Sequence, residues 1–241
     1  MRTCIINLLK LEYRKINYIS LTFKMGKIQR SRIILKILNK IYKKTPIPLK
    51  HRNKFTLLVS VLLSAQTTDV NVNNVTKNIY LKYNKPEHFV KLGRKKIENL
   101  IKSIGIFRVK AKSVYLLSKQ LIEKHNGKVP DNFEDLEKLP GVGHKTASVV
   151  MSQGFGYPAF PVDTHIHRLA QRWGLTNGKN VLQTEEDLKK LFPKSSWNKL
   201  HLQIIYYGRE YCKARECYGL TCKICTTCYP TRKKPIITKK A

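Results

Sequence analysis

Apolar residues recur along much of the chain every three or four positions, which is the spacing of one face of an α-helix. The pattern is clear over residues 97–104 and 166–173, and a similar stripe covers residues 33–42. Pro-Gly and Asn-Gly pairs separate such stretches, as at residues 140–141 and 177–178, and they indicate turns. No stretch alternates apolar and polar residues with the period of a strand. The sequence therefore predicts an all-α fold of roughly ten short helices.

The longest apolar run covers residues 55–65, about half of the roughly 20 residues that a membrane-spanning helix needs. Thr56 and Ser60 interrupt it, so we predict a buried helix. Residues 1–24 are basic and lack the apolar centre and small-residue cleavage site of a secretion signal. Met25 is an alternative start, so we interpret residues 1–24 as an N-terminal extension. We expect the protein in the cytoplasm, with no membrane contact.

The chain is strongly basic, with 47 Lys and Arg residues against 15 Asp and Glu residues and a formal net charge of +32. Such an excess attracts polyanions, of which nucleic acid is the commonest. Lys also greatly outnumbers Arg, and Ile and Asn are abundant, as drift toward AT-rich codons would produce. The charge therefore favours a nucleic-acid partner without establishing one.

Cysteines are concentrated near the C-terminus, where five of the six fall within residues 212–228. They are Cys212, Cys217, Cys222, Cys225 and Cys228. Because the chain shows no export signal and only one other cysteine, Cys4, a metal site is favoured over a set of disulfides. Closely spaced thiolates bind either zinc or an iron–sulfur cluster, and the spacing alone leaves both open.

Residues 139–147, Leu-Pro-Gly-Val-Gly-His-Lys-Thr-Ala, lie between two helical patterns. Gly141 and Gly143 allow a tight turn and a close approach of the backbone to a ligand, because neither carries a Cβ. The unpaired N–H groups that open the second helix can then bind a phosphate, with the helix dipole behind them. This is the pattern of a helix–hairpin–helix motif, for which an ordinary tight turn is the alternative. Contacts of this kind position a protein on DNA without reading its sequence.

Lys145 begins the helix after this turn, where an anchored DNA strand would lie close. An amine is a suitable nucleophile for C1′ of the sugar, because the Schiff base that it forms permits β-elimination of the 3′ phosphate. The helix N-terminus and the basic surroundings should favour the neutral, nucleophilic amine. A lysine in so basic a chain is otherwise a solvated surface charge, so its position alone does not assign it a role.

Asp163 follows in the segment Pro-Val-Asp-Thr-His, directly before an apolar helical stripe. A residue of this type in this place is usually a helix N-cap, and we predict that role here. Capping leaves room for chemistry, because a carboxylate at a helix start can stabilise the positive charge on the sugar as the base departs. It can also help to move protons from the lysine.

These motifs occur together in the endonuclease III family, which the chain resembles over nearly all of its length after Met25. Residues 139–150 resemble that family's hairpin. Further matches follow at residues 62–69, 104–105, 125–127 and 162–166.

The resemblance implies two helical domains with a DNA groove between them, one of them built from both ends of the chain. We expect a central domain with the helix–hairpin–helix motif over residues 48–158. The second domain, with the cysteine cluster, would combine residues 25–47 and 159–230. A basic tail would cover residues 231–241.

By the same resemblance, Lys145 and Asp163 occupy the positions of the family's catalytic lysine and aspartate. Gln66 would fill the gap that the extruded base leaves in the DNA, and Ile106 would wedge into the opposite strand. For Ile106 the alternative is plain core packing. The hairpin would bind DNA through Gly141, Gly143, His144 and Thr146.

The family carries a [4Fe-4S] cluster near the C-terminus, so the resemblance favours this cofactor over zinc. The family's cysteines are separated by six, two and five residues, whereas those of this chain are separated by four, four, two and two. Cys212, Cys222 and Cys228 fall on family positions, and the remaining position holds no cysteine. We expect Cys225 to be the fourth ligand, with Cys217 as the alternative. The cluster's role would be structural.

The sequence thus predicts a bifunctional DNA-repair enzyme: an N-glycosylase that removes oxidised pyrimidines and an AP lyase that cleaves the abasic strand by β-elimination through a lysine Schiff base. The expected partner is damaged double-stranded DNA, bound by a monomer. Relatives that remove adenine from mismatches lack the lysine, so Lys145 favours the pyrimidine-directed branch. Two other classes are a binding module that uses the hairpin only as a phosphate clamp, and an electron-transfer or zinc protein. A binding module would not need Lys145, Asp163 and Gln66 together, and the long helical region before the cysteines argues against an electron-transfer or zinc protein.

Overall fold

Residues 25–241 are described by a computed structural model of the chain, and the predicted extension of residues 1–24 lies outside this part. The described residues form eleven α-helices and one 3₁₀ turn and contain no β-strand, which confirms the all-α prediction. The first helices are α1 (Lys27–Ile41), α2 (Lys54–Ser64), α3 (Asp69–Lys82), α4 (Pro86–Leu100) and α5 (Phe107–His125). They are followed by α6 (Phe133–Glu137), α7 (His144–Gly154), α8 (Thr164–Arg172), α9 (Val181–Leu191), α10 (Trp197–Glu210) and α11 (Lys223–Cys228).

α2 is the buried centre of the first half. Asn53 and Thr56 form a reciprocal capping box at its start, in which each side-chain oxygen accepts a hydrogen bond from the other residue's backbone N–H, at 2.9 and 3.0 Å. Every residue from 55 to 63 is buried, and the polar Ser60 shares a hydrogen bond of 2.8 Å with Tyr80. The helix predicted from the longest apolar run is therefore confirmed as a buried one.

Buried apolar side chains form two clusters. The first cluster draws on residues 49–151, from the segment before α2 to α7. The second cluster joins α1 to residues 160–228, so the beginning and the end of the described chain pack together. Within it, α1 lies against α9, α10 and α11. No helix in residues 25–241 is long and apolar enough to cross a membrane.

Candidate active site and nucleic-acid interface

The predicted helix–hairpin–helix consists of α6, a turn over residues 138–143, and α7. Gly141 has a φ of +81°, in the left-handed region that favours glycine. A Cβ at this position would also lie 2.7 Å from the Cβ of Ser113 on α5, so the turn needs glycine for two reasons. A Cβ on Gly143 would meet no atom within 4 Å. The backbone at the second glycine therefore faces open space and is accessible to a ligand.

Gly143 is the N-cap of α7, and the first hydrogen bond of the helix runs from the Ala147 N–H to the Gly143 carbonyl at 3.0 Å. The N–H groups of residues 144–146 precede that bond and have no acceptor within the helix. No side chain in the described part of the chain caps them. Because the helix dipole adds partial positive charge at this end, these N–H groups can donate hydrogen bonds to an anion at the protein surface.

The His144 side chain is held between two carboxylates. Its Nδ1 lies 2.8 Å from a carboxylate oxygen of Glu137 on α6, and its Nε2 lies 3.3 Å from one of Glu185 on α9. Glu185 is buried and also accepts a hydrogen bond from Lys189. The imidazole of His144 thus ties the hairpin to the second cluster, and its backbone N–H is the group left for an anion.

A small cavity of about 150 Å³ lies between the two clusters. The two predicted catalytic residues both line it, Lys145 from the start of α7 and Asp163 from the start of α8. Apolar side chains from both sides form the walls, among them Leu57 and Ile205. The other polar residues of the lining are Ser64, Asp69, Thr146, Gln153, His201 and Arg209. The fold therefore brings an amine and a carboxylate from the starts of two different helices to one cavity.

Asp163 caps α8, which confirms the capping prediction. Its Oδ1 accepts a hydrogen bond from the Ile166 N–H at 2.8 Å, and its carbonyl accepts one from the His167 N–H at 2.9 Å. The cap fixes the carboxylate at the cavity, and because it occupies one oxygen, the second oxygen is left for other contacts. Lys145 differs from it in being exposed, on a flexible four-carbon stem.

Two cavity residues that no sequence motif singled out are Gln153 on α7 and His201 on α10. Burial lowers the pKa of His201 to about 4, so its ring is neutral. Its Nδ1 lies 3.2 Å from the Trp197 carbonyl, which assigns the proton to that nitrogen. Its Nε2 then accepts a hydrogen bond of 2.9 Å from the Gln153 amide, across 48 residues of sequence. Only the tertiary structure shows this pair.

An ion pair closes one side of the cavity. Arg209 at the end of α10 donates to the carboxylate of Asp69, the first residue of α3, at 2.7 Å. A wider recess of about 470 Å³ adjoins it, lined by residues 66–70, His165 and Arg209. Burial lowers the pKa of His165 against the opposing effect of the Asp163 carboxylate. The recess is therefore lined by a neutral imidazole and by an arginine that is already paired.

Gln66 lines this recess, and Ile106 lies on the neighbouring loop. Both residues are exposed, Ile106 by 53%, so the alternative of core packing for Ile106 is wrong. Both have left-handed backbones, with φ of 55° and 50°. This conformation costs about 1–3 kcal/mol outside glycine and persists only where neighbours enforce it. A Cβ on Gly105 would lie 3.5 Å from the Gln66 carbonyl oxygen, so the two loops pack closely.

Four buried cysteines near the C-terminus lie close together. The Sγ of Cys225 lies 3.9 Å from that of Cys212 and 4.0 Å from that of Cys217, and the whole group, with Cys222, falls within 4.8 Å. Cys228, at the end of α11, is buried as well but does not belong to this group. Three expected ligands are thus brought together, but the structure groups them with Cys217 and not with Cys228.

A buried arginine holds the loop that carries these thiols. Arg172 at the end of α8 donates to the Sγ of Cys212 at 3.3 Å and to the carbonyls of Lys213 and Ala214, both at 2.8 Å. A cationic donor beside sulfur favours the thiolate form that a metal requires. A donor set of four buried thiols fits both a zinc ion and an iron–sulfur cluster.

The chain has close relatives among known proteins. Residues 59–194 match the family described as HhH-GPD superfamily base excision DNA repair protein. Endonuclease III of Bacillus subtilis (strain 168) is 43% identical over 187 residues, which cover 77% of this chain and 85% of that protein. A solved structure of a non-covalent endonuclease III–DNA complex has a TM-score of 0.81 at 41% identity, covering 85% of this chain and 96% of that one. A trapped endonuclease III–DNA covalent intermediate has a TM-score of 0.79 at 41% identity, over 83% and 94% of the two chains.

The match includes the site as well as the fold. The family region begins in α2 and ends at residue 194, so it contains the hairpin, Lys145 and Asp163. The similar proteins cover most of their own length and most of this chain. The chain therefore belongs to the endonuclease III family of the HhH-GPD superfamily of base excision DNA repair proteins, and it is a DNA glycosylase and AP lyase.

Proposed function

We propose that this enzyme removes oxidised pyrimidines from double-stranded DNA and cleaves the abasic strand by β-elimination through a Schiff base on Lys145. The observation that carries the proposal is the cavity that Lys145 and Asp163 share, beside the open N-terminus of α7. A similar solved structure is a trapped covalent intermediate of endonuclease III with DNA, which is consistent with an enzyme nucleophile. The cavity of about 150 Å³ is small, since sites for drug-sized ligands run from about 300 to 1,000 Å³.

The Lys145 amine would attack C1′ of the damaged nucleotide, and the bond from C1′ to the base would break, with its electron pair and a proton leaving on the base. The bond from C1′ to the ring oxygen then breaks, the oxygen takes a proton, and an iminium forms between Nζ and C1′. Loss of a C2′ proton expels the 3′ phosphate, because the iminium accepts the electron pair. Water finally releases the lysine from C1′.

Asp163 would stabilise the positive charge that develops on the sugar and would carry protons between Lys145 and the reacting groups. Its hydrogen bond to the Ile166 N–H supports this role, because it keeps the carboxylate at the cavity without neutralising it. The buried, neutral His201 would add no competing positive charge there.

The hairpin would bind a phosphate through the N–H groups of residues 144–146, which include His144 and Thr146. Gly141 would shape the turn, and Gly143 would leave room for the DNA backbone. Gln66 would fill the gap left by the extruded base, and Ile106 would wedge into the opposite strand. The exposure of both side chains and the close packing of their loops support this pair of roles.

The two hydrophobic clusters support a division into two domains, residues 48–158 and residues 25–47 with 159–230, with the DNA groove along their junction. Residues 231–241 would be a basic tail on the second domain. The backbone N–H of Lys239 in this tail donates a hydrogen bond of 2.8 Å to the side-chain oxygen of Gln171 in α8. We propose that the enzyme acts as a monomer in the cytoplasm, where it meets the chromosome.

The gathered thiols and the family relationship support a [4Fe-4S] cluster held by Cys212, Cys217, Cys222 and Cys225, because such clusters take four thiolates. The Sγ separations of 3.9 and 4.0 Å also suit a tetrahedral zinc site with Zn–S bonds of about 2.3 Å, so zinc is the second candidate. The bound group would fix the loop of residues 212–228 and would take no part in the reaction.

Cys217→Ser is expected to lose the metal centre, and Cys228→Ser is expected to keep it, because only the first sulfur lies in the group of four. The measurement is the visible absorbance of the purified variants, with iron, sulfide and zinc content per chain. Loss in Cys228→Ser with retention in Cys217→Ser would assign the ligand to Cys228 instead. Zinc without iron and sulfide in the wild type would select the second candidate.

The wild-type enzyme is expected to release the base and cut the strand of a duplex that contains one thymine glycol, and to act far more slowly on an oxidised purine. The cut should leave an unsaturated aldehyde at the 3′ end, because β-elimination and not hydrolysis breaks the strand. Gel electrophoresis measures the extent of strand cleavage on each duplex, and mass spectrometry identifies the released base and the 3′ end. Base release without cleavage would contradict the lyase step, and DNA binding without base release would favour a simple phosphate clamp.

A further inference from the structure

Lys110 on α5 is only 3% exposed, and its ammonium group lies among three oxygen atoms. Nζ donates to the carbonyl of Leu63 at 2.9 Å, to the carbonyl of Ala65 at 2.6 Å and to the hydroxyl of Thr67 at 3.0 Å. An ammonium has three N–H groups, so every donor is used. Burial lowers the pKa of Lys110, and a charge so far removed from water persists only where such partners offset its desolvation.

The three acceptors surround Gln66. Leu63 lies in the last turn of α2, Ala65 is its C-cap, and Thr67 follows Gln66 directly. Carbonyls at the end of a helix lack partners within it, and the helix dipole favours a cation beside them. Gln66 itself has the left-handed φ of 55°, which its neighbours must enforce. By fixing the residues on both sides of it, Lys110 holds Gln66 in this conformation.

Lys110 is also bonded to the second loop. Its backbone N–H donates to the Ile106 carbonyl at 3.2 Å, in the first turn of α5, for which Ile106 is the N-cap. A further hydrogen bond of 3.1 Å runs from the side-chain amide of Asn71, in the first turn of α3, to the Ser103 carbonyl. Lys110 thus contacts both segments: its side chain binds the residues around Gln66, and its backbone N–H binds Ile106.

We propose that Lys110 is a positioning residue for base extrusion, which presents Gln66 and Ile106 to the DNA as one rigid pair. The inference rests on the roles proposed above for those two residues. Lys110 does not line the cavity that contains Lys145, so it acts on the opening of the DNA and not on the bond-breaking steps.

Lys110→Met, which keeps most of the length of the side chain and removes its charge, is expected to slow base release from a thymine-glycol duplex by roughly 10- to 100-fold, because a displacement of about 1 Å costs up to that factor. Lys110→Arg retains a cation and should recover part of the rate. Lys112→Met changes an exposed lysine on the same helix and should react as the wild type does. A 2-aminopurine beside the lesion reports unstacking by its fluorescence, and Lys110→Met should lose that signal.

A background that already carries Gln66→Ala and Ile106→Ala distinguishes positioning from general stability. Lys110→Met should cost no further rate there, and an equal fold-loss in both backgrounds would overturn the proposal. Borohydride trapping on an abasic site in single-stranded DNA needs no extrusion, so Lys110→Met should retain the wild-type yield. A loss of trapping as large as the loss of base release would also overturn it.

Thermal unfolding shows whether Lys110→Met folds. If it does not fold, Thr67→Val, which removes one of the three acceptors, can replace it. This variant would be measured in the Gln66→Ala and Ile106→Ala background and by borohydride trapping, and the same results would support or overturn the proposal. Absence of base release from the wild type would contradict the proposed function and not this inference, which the 2-aminopurine signal would then test by itself.

Discussion

Lys145→Ala is expected to bind a damaged duplex as the wild type does and to lose base release and strand cleavage. Removing the nucleophile of a covalent mechanism costs on the order of 10³- to 10⁶-fold in rate. No other lysine in the described part of the chain lines the cavity, so none is placed to replace it. Binding should persist because the N–H groups of residues 144–146 belong to the backbone, which alanine retains. Single-turnover cleavage of a thymine-glycol duplex and its dissociation constant measure the two effects.

Lys138→Ala is the matched control for this prediction. Lys138 is an exposed lysine at the start of the same turn, where it pairs with Glu134 and Asp135. Its replacement should leave the cleavage rate unchanged, because its charge lies away from the cavity lining. Cleavage by Lys145→Ala at the wild-type rate, or equal losses in both variants, would show that the nucleophile lies elsewhere.

Asp163→Asn is expected to fold as stably as the wild type and to lose on the order of 10²- to 10⁴-fold in the rate of base release. Asn and Asp are nearly equal as N-caps, so the amide oxygen can still accept the hydrogen bond from the Ile166 N–H. A neutral amide, however, can neither stabilise the positive sugar nor carry a proton. Asp163→Ala should lose the same activity and also destabilise the fold by about 1 kcal/mol, because α8 then lacks its cap.

Thermal unfolding and single-turnover base release, measured on both Asp163 variants, separate capping from catalysis. Asn180→Ala serves as the control, because Asn180 caps α9 with a hydrogen bond of 2.8 Å and does not line the cavity. It should lose stability and keep its activity. Wild-type activity in Asp163→Asn would reduce Asp163 to a helix cap.

Features that depend on neighbouring residues in the chain could be predicted from the sequence. Asp163 precedes an apolar helical stripe and caps α8 for that local reason. Gly141 lies in a turn whose backbone conformation calls for glycine. The apolar run of residues 55–65 is about half the length that a membrane-spanning helix needs, so a buried helix followed from its length and composition. The all-α class followed from many such local signals.

Features that depend on tertiary contacts could not be predicted. Lys110 is one of many basic residues, and its role follows only from its burial beneath the end of α2. Gln153 and His201 meet at the cavity through helices far apart in the chain. From the sequence, Ile106 could equally have been a core residue. Its exposure depends on the left-handed backbone that it adopts as the N-cap of α5.

The grouping of the thiols was only partly predictable for a similar reason. Counting residues along the loop placed Cys228 on a family position and left Cys217 only as the alternative to Cys225. The loop folds so that the sulfur of Cys217 reaches the sulfur of Cys225 at 4.0 Å, a contact that depends on the path of the backbone and not on the number of residues.

Borohydride reduction of the enzyme mixed with a duplex that contains one thymine glycol would reveal a Schiff base on Lys145. Reduction would convert the bond between Nζ and C1′ into a stable amine that joins protein to DNA. We predict a covalent adduct with the wild type and with Lys138→Ala, none with Lys145→Ala, and a modified peptide that contains residue 145. A folded wild type that binds this DNA and yields no adduct would contradict the Schiff base, and the enzyme would then cleave by another route or not at all.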